Sequence, residues 1–198
     1  LLKVANNSQR IAVSKINTVS RAAIVMGIRA VKNICITSKI LEGLLDSNNL
    51  APEVHHRLTM LMANAFYAGL LAKMMVPKHS DDTQEEVYLA AMLYNIGETS
   101  FWSTHSDVAN VLIKDVHLSP QKFQKKCQQL LGLKFTGLSI GLAKTWHLGE
   151  ILIKSLDQPD SRTIEMQTIS LANQLSCAIS TPPESKLEFD NILKRISV

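Results

Sequence analysis

Aromatic residues make up only 5% of this chain, and 8 Gly and 6 Pro are few for 198 residues. Sheet-rich folds draw on aromatic and β-branched residues and on frequent turns. Aromatics and the turn-forming Gly and Pro are scarce here, while Leu, Ile, Ala and Met are abundant, which argues for helices. Cysteine is scarce too. Cys35, Cys127 and Cys177 lie far apart, their number is odd, and no pair has CxxC spacing. That fits a reducing compartment and no disulfide framework. No signal peptide opens the chain. The greasiest stretch, Ala65–Val76, is interrupted by Lys73 and is too short to span a bilayer. A cytoplasmic protein with no membrane partner is expected.

Signatures of several chemistries are missing as well. There is no P-loop and no GxGxxG, and nothing places Ser, His and Asp together. The histidines, His55, His56, His79, His105, His117 and His147, form no metal-spacing set. His55 and His56 are adjacent, so on a helix they point about 100° apart and read as surface residues. No strand pattern of period two, internal repeat or low-complexity tract is present.

What is present suffices for a core. Hydrophobic residues are 46% of the chain, and its length suits one domain. The formal charge of +4 is spread along the chain, with one concentration at Lys122, Lys125, Lys126 and Lys134. Nucleic-acid affinity needs more clustered cations than this, so nucleic acid is not the expected partner. The lysines read as a solvated face, with an anionic docking surface as the sharper reading. The chain starts at Leu1 without Met, inside an amphipathic pattern, and reads as a piece of a longer protein.

Helical periodicity organises the rest. Leu1–Asn6 reads as the tail of a helix, and Ile11–Asn17 as a loop. Ser20 is placed to cap a short helix ending at Gly27. Ile28–Leu45 carries Val31, Ile34, Cys35, Ile40, Leu41 and Leu44 at helical spacing, and Asp46–Asn49 stops it. Pro52 starts a helix to about Val76, with Leu58, Leu61, Met62, Ala65, Leu70 and Met74 inward. Its Ala63, Ala65, Ala68 and Gly69 let another helix approach. Thr83–Asn95 is helical after a Pro77–Asp82 linker, with Gly97 as its terminating glycine. Ser106–Asp115, Ser119-Pro120 to Gly132, Phe135–Trp146, Glu150–Leu156 and Arg162–Ser180 follow. Pro182-Pro183 closes the compact region, and Glu184–Ile196 is a last amphipathic helix.

Four segments carry more than periodicity. Leu89-Ala90-Ala91-Met92-Leu93-Tyr94-Asn95-Ile96-Gly97 is an apolar helix ending in two polar residues, an apolar residue and glycine. It resembles the "GLLHDIG" of HD-type metallohydrolases, where the adjacent His and Asp ligate a metal. Phe135-Thr136-Gly137-Leu138-Ser139-Ile140-Gly141-Leu142-Ala143-Lys144-Thr145-Trp146-His147-Leu148 resembles "HxxVGxxLxxxWxLP". Ser20–Gly27 is similar to "I..AI..LG", and Leu1–Asn7 to "LLrlaNS". Occurring in this order, they make the chain resemble the HDOD (HD-related output domain) family of bacterial signalling proteins over roughly residues 1–180. The resemblance implies an all-α fold, a multi-helix HD-like bundle with short connecting loops. It would occupy residues 1–181, truncated at its N-terminus, with the C-terminal amphipathic helix at 182–198.

The departures from the pattern bear on function. Tyr94 and Asn95 stand at the two ligand positions. Phe135 stands where the family often has His, Pro159-Asp160 where it often has His-His, and no His occurs around Ala63 and Asn64. An HD metal site needs several imidazole and carboxylate donors, which these residues cannot supply. No metal, no cofactor and no catalytic residue are therefore expected, and the chain reads as a pseudoenzyme. Tyr94 and Asn95 read first as a hydrogen-bonding pair at a helix end. Trp146 reads as a core anchor, and Phe101 and Trp102 as a staple over the core, with an exposed anchor for a partner as the alternative. In the functional reading, Tyr94, Asn95, Phe135 and Trp146 line a vestigial pocket. The expected function is a non-catalytic signal-transduction module acting on a protein partner, with oligomeric state open. The alternatives are a metal-dependent phosphohydrolase, using Asp81, Asp82, Glu85 and Glu86 near the old site, or a domain sensing a nucleotide or other small molecule in that pocket.

Overall fold

The structure is a computed structural model. It describes residues 2, 5, 6, 16–28, 31, 50–104, 106–118, 120–157, 163–180, 191 and 194. The sequence readings over 32–49, His105, Pro159-Asp160 and Pro182-Pro183 lie outside the described residues, as does most of Glu184–Ile196. Among the described residues every regular element is helical and none is a strand. This is the all-α class expected.

The helices are α1 (Val19–Ile28), α2 (Pro52–Met75), α3 (Asp81–Leu93), α4 (Ile96–Trp102) and α5 (Asp107–Leu112) with a 3-10 turn at Ile113–Asp115. They continue as α6 (Pro120–Leu131), α7 (Phe135–Trp146), α8 (Glu150–Asp157) and α9 (Ile164–Ser180). Several starts follow from capping. Ser80 accepts from the Thr83 amide at the head of α3, and Ser106 from Ala109 at the head of α5. Pro52 occupies the first turn of α2, where its missing N–H costs nothing. Gly132, at φ 72°, takes the left-handed turn after α6.

The sequence reading errs at α1, α2 and α4. Thr18, not Ser20, caps α1 through its hydroxyl, which accepts from the Arg21 amide at 3.3 Å. The Ser20 hydroxyl donates instead to Glu85 of α3 at 2.7 Å, and the same carboxylate accepts from the Val19 and Ser20 amides. Gly97 does not terminate a helix. The chain breaks at Tyr94 and Asn95 and restarts at once as α4, with Gly97 buried in its first turn. On α2, Leu61 is buried as expected, but Met62, Leu70 and Met74 face outward, with Phe66 and Tyr67.

The bundle encloses two main cores. Ala68, Ala72 and Val76 of α2 with its C-cap meet Val87, Ala90 and Ala91 of α3, Leu152 of α8, and Ile169 and Ala172 of α9. Small residues here let backbones approach: a Cβ on Gly69 would come within 2.9 Å of the Tyr88 ring. The second core joins Val54 and Leu61 to Trp102, Ala109, Leu112 and Cys127. Trp102 is fully buried, so it is part of the core and not an exposed anchor. Cys127 lies in the same core, and burial above all, then the Glu98 carboxylate, holds its thiol protonated above the ordinary range. A third, smaller cluster packs Leu2, Ala5, Ile16 and Ala22 on Leu89. The Asn6 carboxamide brackets it, donating to the Ile16 carbonyl at 2.9 Å and accepting from the Ile16 amide at 2.8 Å. Among the described helices, α2 is the one long and apolar enough to cross a membrane by length and composition. Its inner face packs on α3 and α9.

Candidate functional site

The site to test is the corner between α3 and α4, where the HD-like motif falls. The helix breaks here because Asn95 adopts φ −100°, ψ 24°, outside the α region, while its carbonyl accepts from both the Thr99 amide and hydroxyl. The turn brings Gly97 against the first turn of α7. Its amide donates to the buried Ser139 hydroxyl at 3.0 Å. A Cβ at Gly97 would lie 2.5 Å from the Ser139 amide nitrogen and 2.6 Å from the Phe135 carbonyl oxygen. The glycine is required for this contact distance, not for an unusual φ.

The polar groups around the corner are engaged with one another. The Asn95 side-chain amide donates to the Asn173 carboxamide oxygen at 3.3 Å. Asn173 in turn donates to the Ala91 carbonyl at 3.1 Å and the Ile169 carbonyl at 3.0 Å. It thus adds a second bond to the Ala91 carbonyl, which also accepts from the Tyr94 amide, and ties the end of α3 to α9. One turn further on, a single oxygen of Glu98 accepts three bonds. They come from Arg57 Nη2 at 2.6 Å, Arg57 Nε at 3.1 Å and Trp102 Nε1 at 3.0 Å. Asn64, on α2, accepts from the Ser176 and Ser180 hydroxyls of α9.

The four candidate residues do not share one surface. Tyr94 packs half-buried against the central core. Asn95 is exposed. The Phe135 ring turns into the second core, 5.4 Å from Phe101 and 6.5 Å from Phe123 between centroids. Trp146 ends α7, eleven residues after Phe135 and so roughly 16 Å along the helix. It is half-buried, so Trp102 rather than Trp146 is the fully buried tryptophan. A cavity of about 500 Å³ lies elsewhere, between Leu50, Ala51 and Val54 at the head of α2 and Ser106, Asp107 and Asn110 of α5.

The acidic alternative set is also misplaced. Asp81, Asp82, Glu85 and Glu86 occupy the first half of α3, whereas the corner follows its last residue. The helix length separates them from it by roughly 12–21 Å. Glu85 is committed to α1. Glu86 is half-buried, and burial first, then the nearby Glu150 and Glu165 carboxylates, push its carboxyl above the usual range. Glu165 pairs with His79 at 3.2 Å. Among the described residues no three His, Cys, Asp or Glu side chains are grouped to hold a metal. The donors at the corner, one carboxamide and one phenol with no imidazole or carboxylate beside them at the motif's ligand positions, do not fit an HD-type divalent site.

Sequence reasoning missed Arg57, Glu98, Ser139 and Asn173. The Glu98–Trp102 bond was visible as a four-residue helical spacing. Arg57 and Asn173 lie 41 and 78 residues from Glu98 and Asn95, and no local pattern joins them.

A helical bundle with an HD-type helix-end corner defines a class, and comparison with known proteins gives the family. The model of the HDOD domain matches residues 1–160, so the chain belongs to the HDOD-domain family. No curated protein matches. Among solved structures, the MmoQ response regulator of Methylococcus capsulatus str. Bath is similar at TM-score 0.73 and 13% identity, covering all of this chain and 82% of the other. A provisionally assigned phosphohydrolase of Shewanella amazonensis SB2B gives 0.54 and 16%, covering 100% and 71%. A Geobacter sulfurreducens HDOD domain protein of unknown function gives 0.51 and 18%, covering 98% and 70%. At these identities the likeness is one of fold.

Proposed function

We propose that this domain is a non-catalytic regulatory module that transmits or receives a signal through contacts with another protein. The corner carries the reading. The side chains standing at the ligand positions are neutral, and the Asn95 amide is bonded to Asn173. An array whose donors bind one another stabilises a scaffold and offers little to a substrate. The similarity to a response regulator supports a signalling context, and the similarity to a provisionally assigned phosphohydrolase keeps hydrolysis as the reading to test against.

The test is hydrolysis of phosphodiesters and phosphomonoesters by the purified chain supplied with Mn²⁺, Fe²⁺ or Ni²⁺. The expected result is no turnover above the metal-only background. Saturable turnover abolished by Asn95→Ala would replace this reading with the hydrolase.

A further inference from the structure

Counted by stretch, the positive surplus is not spread along the chain. Residues 114–134 hold five of the 21 Lys and Arg and one of the 17 Asp and Glu, so the rest of the chain is balanced and the whole +4 belongs to this stretch. Most of it lies on α6, a helix without an acidic residue. Phe123, Cys127 and Leu131, at four-residue spacing, anchor the inner face of α6 in the second core. Lys122 and Lys125 face solvent on the other side, and Lys134 is exposed just past the Gly132 turn. The one acid of the stretch, Asp115, holds Lys126 at 2.6 Å. No described carboxylate lies within ion-pair reach of Lys122, Lys125 or Lys134. Beside these cations two large apolar side chains are exposed, Leu130 and Leu133. Lys122, Lys126 and Leu130 follow one another at four-residue steps on α6, so the leucine continues a lysine row, and Lys134 stands beyond the turn at Gly132.

We infer that this face is a docking surface for an acidic, leucine-bearing helical segment of a partner protein. The inference deepens the proposed function and rests on it. Charge complementarity sets the sign of the partner, and unpaired cations on a rigid helix steer its approach. The exposed leucines set its class. A nucleic acid would leave them unmatched, and the face offers no Arg for bidentate phosphate contacts and no exposed aromatic for base stacking. An amphipathic acidic helix matches both rows, its carboxylates on the lysines and its leucines on Leu130 and Leu133.

The experiment titrates the full chain, at physiological salt, into a fluorescent helical peptide of Glu and Leu with leucines on one face. A composition-matched scrambled peptide and a short DNA duplex serve as the other probes. The patterned peptide is expected to bind best, with affinity falling as salt rises. The triple variant Lys122→Glu, Lys125→Glu, Lys134→Glu should weaken it about tenfold or more, and Leu130→Ser with Leu133→Ser about tenfold. Lys154→Glu on α8 should leave it unchanged. All targeted side chains are exposed, and matched melting curves establish folding. Equal binding to wild type and triple variant, or tighter binding of DNA than of the patterned peptide, overturns the inference. Either result leaves the regulatory reading standing if hydrolysis is absent, whereas metal-dependent turnover removes that reading whatever the lysines bind.

Discussion

The Gly97 amide and the Ser139 hydroxyl meet at 3.0 Å in a buried contact that joins the HD-like corner to α7. A methyl group at residue 97 would overlap the α7 backbone, which cannot yield as a flexible side chain would. Gly97→Ala should therefore cost about 3 kcal/mol, an overpacking loss read from denaturant midpoints. Gly141, on the same α7, has open space around its missing Cβ. Gly141→Ala should stabilise the protein by about 0.5–1 kcal/mol through helix propensity. The opposite signs separate close packing from a general preference for glycine.

Asn173 and Asn95 are hydrogen-bonded to each other yet unequal in weight. Asn173 makes its other bonds to the Ala91 and Ile169 carbonyls, whereas Asn95 is exposed. Asn173→Ala should lower stability by about 1–2 kcal/mol, and Asn95→Ala by less than about 0.5 kcal/mol. Chemical denaturation of both variants checks the order.

Glu85 holds the first turn of α1 through two amides and a hydroxyl. Glu85→Ala should free that turn at a cost of about 1 kcal/mol, the usual value of a lost helix cap. Hydrogen exchange should show faster amides at Val19 and Ser20, with α9 unchanged.

Glu86 gives a pH signature. Burial, then Glu150 and Glu165, raise its folded pKa above the unfolded value. Its neutral form is thus the one the fold prefers, and the stability it contributes is present below about pH 4 and lost as pH rises through the raised value. Glu86→Gln should be more stable than wild type at pH 7, by a few tenths of a kcal/mol, with the gain vanishing near pH 4. Melting temperatures across that range are the measurement.

Much of the fold was legible because local signals mark helices. Phe135–Trp146 was read to the residue, since Gly132 and His147–Gly149 bracket it. Gly97 was misread because a glycine after an apolar helix has the same appearance whether it terminates the helix or admits a neighbour. The identity of that neighbour, Ser139, lies 42 residues away. The outward turn of Met62, Leu70 and Met74 was missed for a related reason. An apolar residue at helical spacing marks a face, but which face the bundle covers depends on how α3 and α9 pack. At the corner it was legible that Tyr94, Asn95 and Phe135 stand where the resembling motifs carry His or Asp. Their dispersal was not: the Phe135 ring enters the second core and Trp146 stands at the far end of α7.

The most direct test of the central claim is the metal content of the purified chain, measured by plasma mass spectrometry after incubation with Mn²⁺, Fe²⁺ and Ni²⁺ and desalting. A scaffold whose corner side chains bind one another should retain far less than one equivalent of any of them. Stoichiometric retention lost in Asn95→Ala would contradict the account.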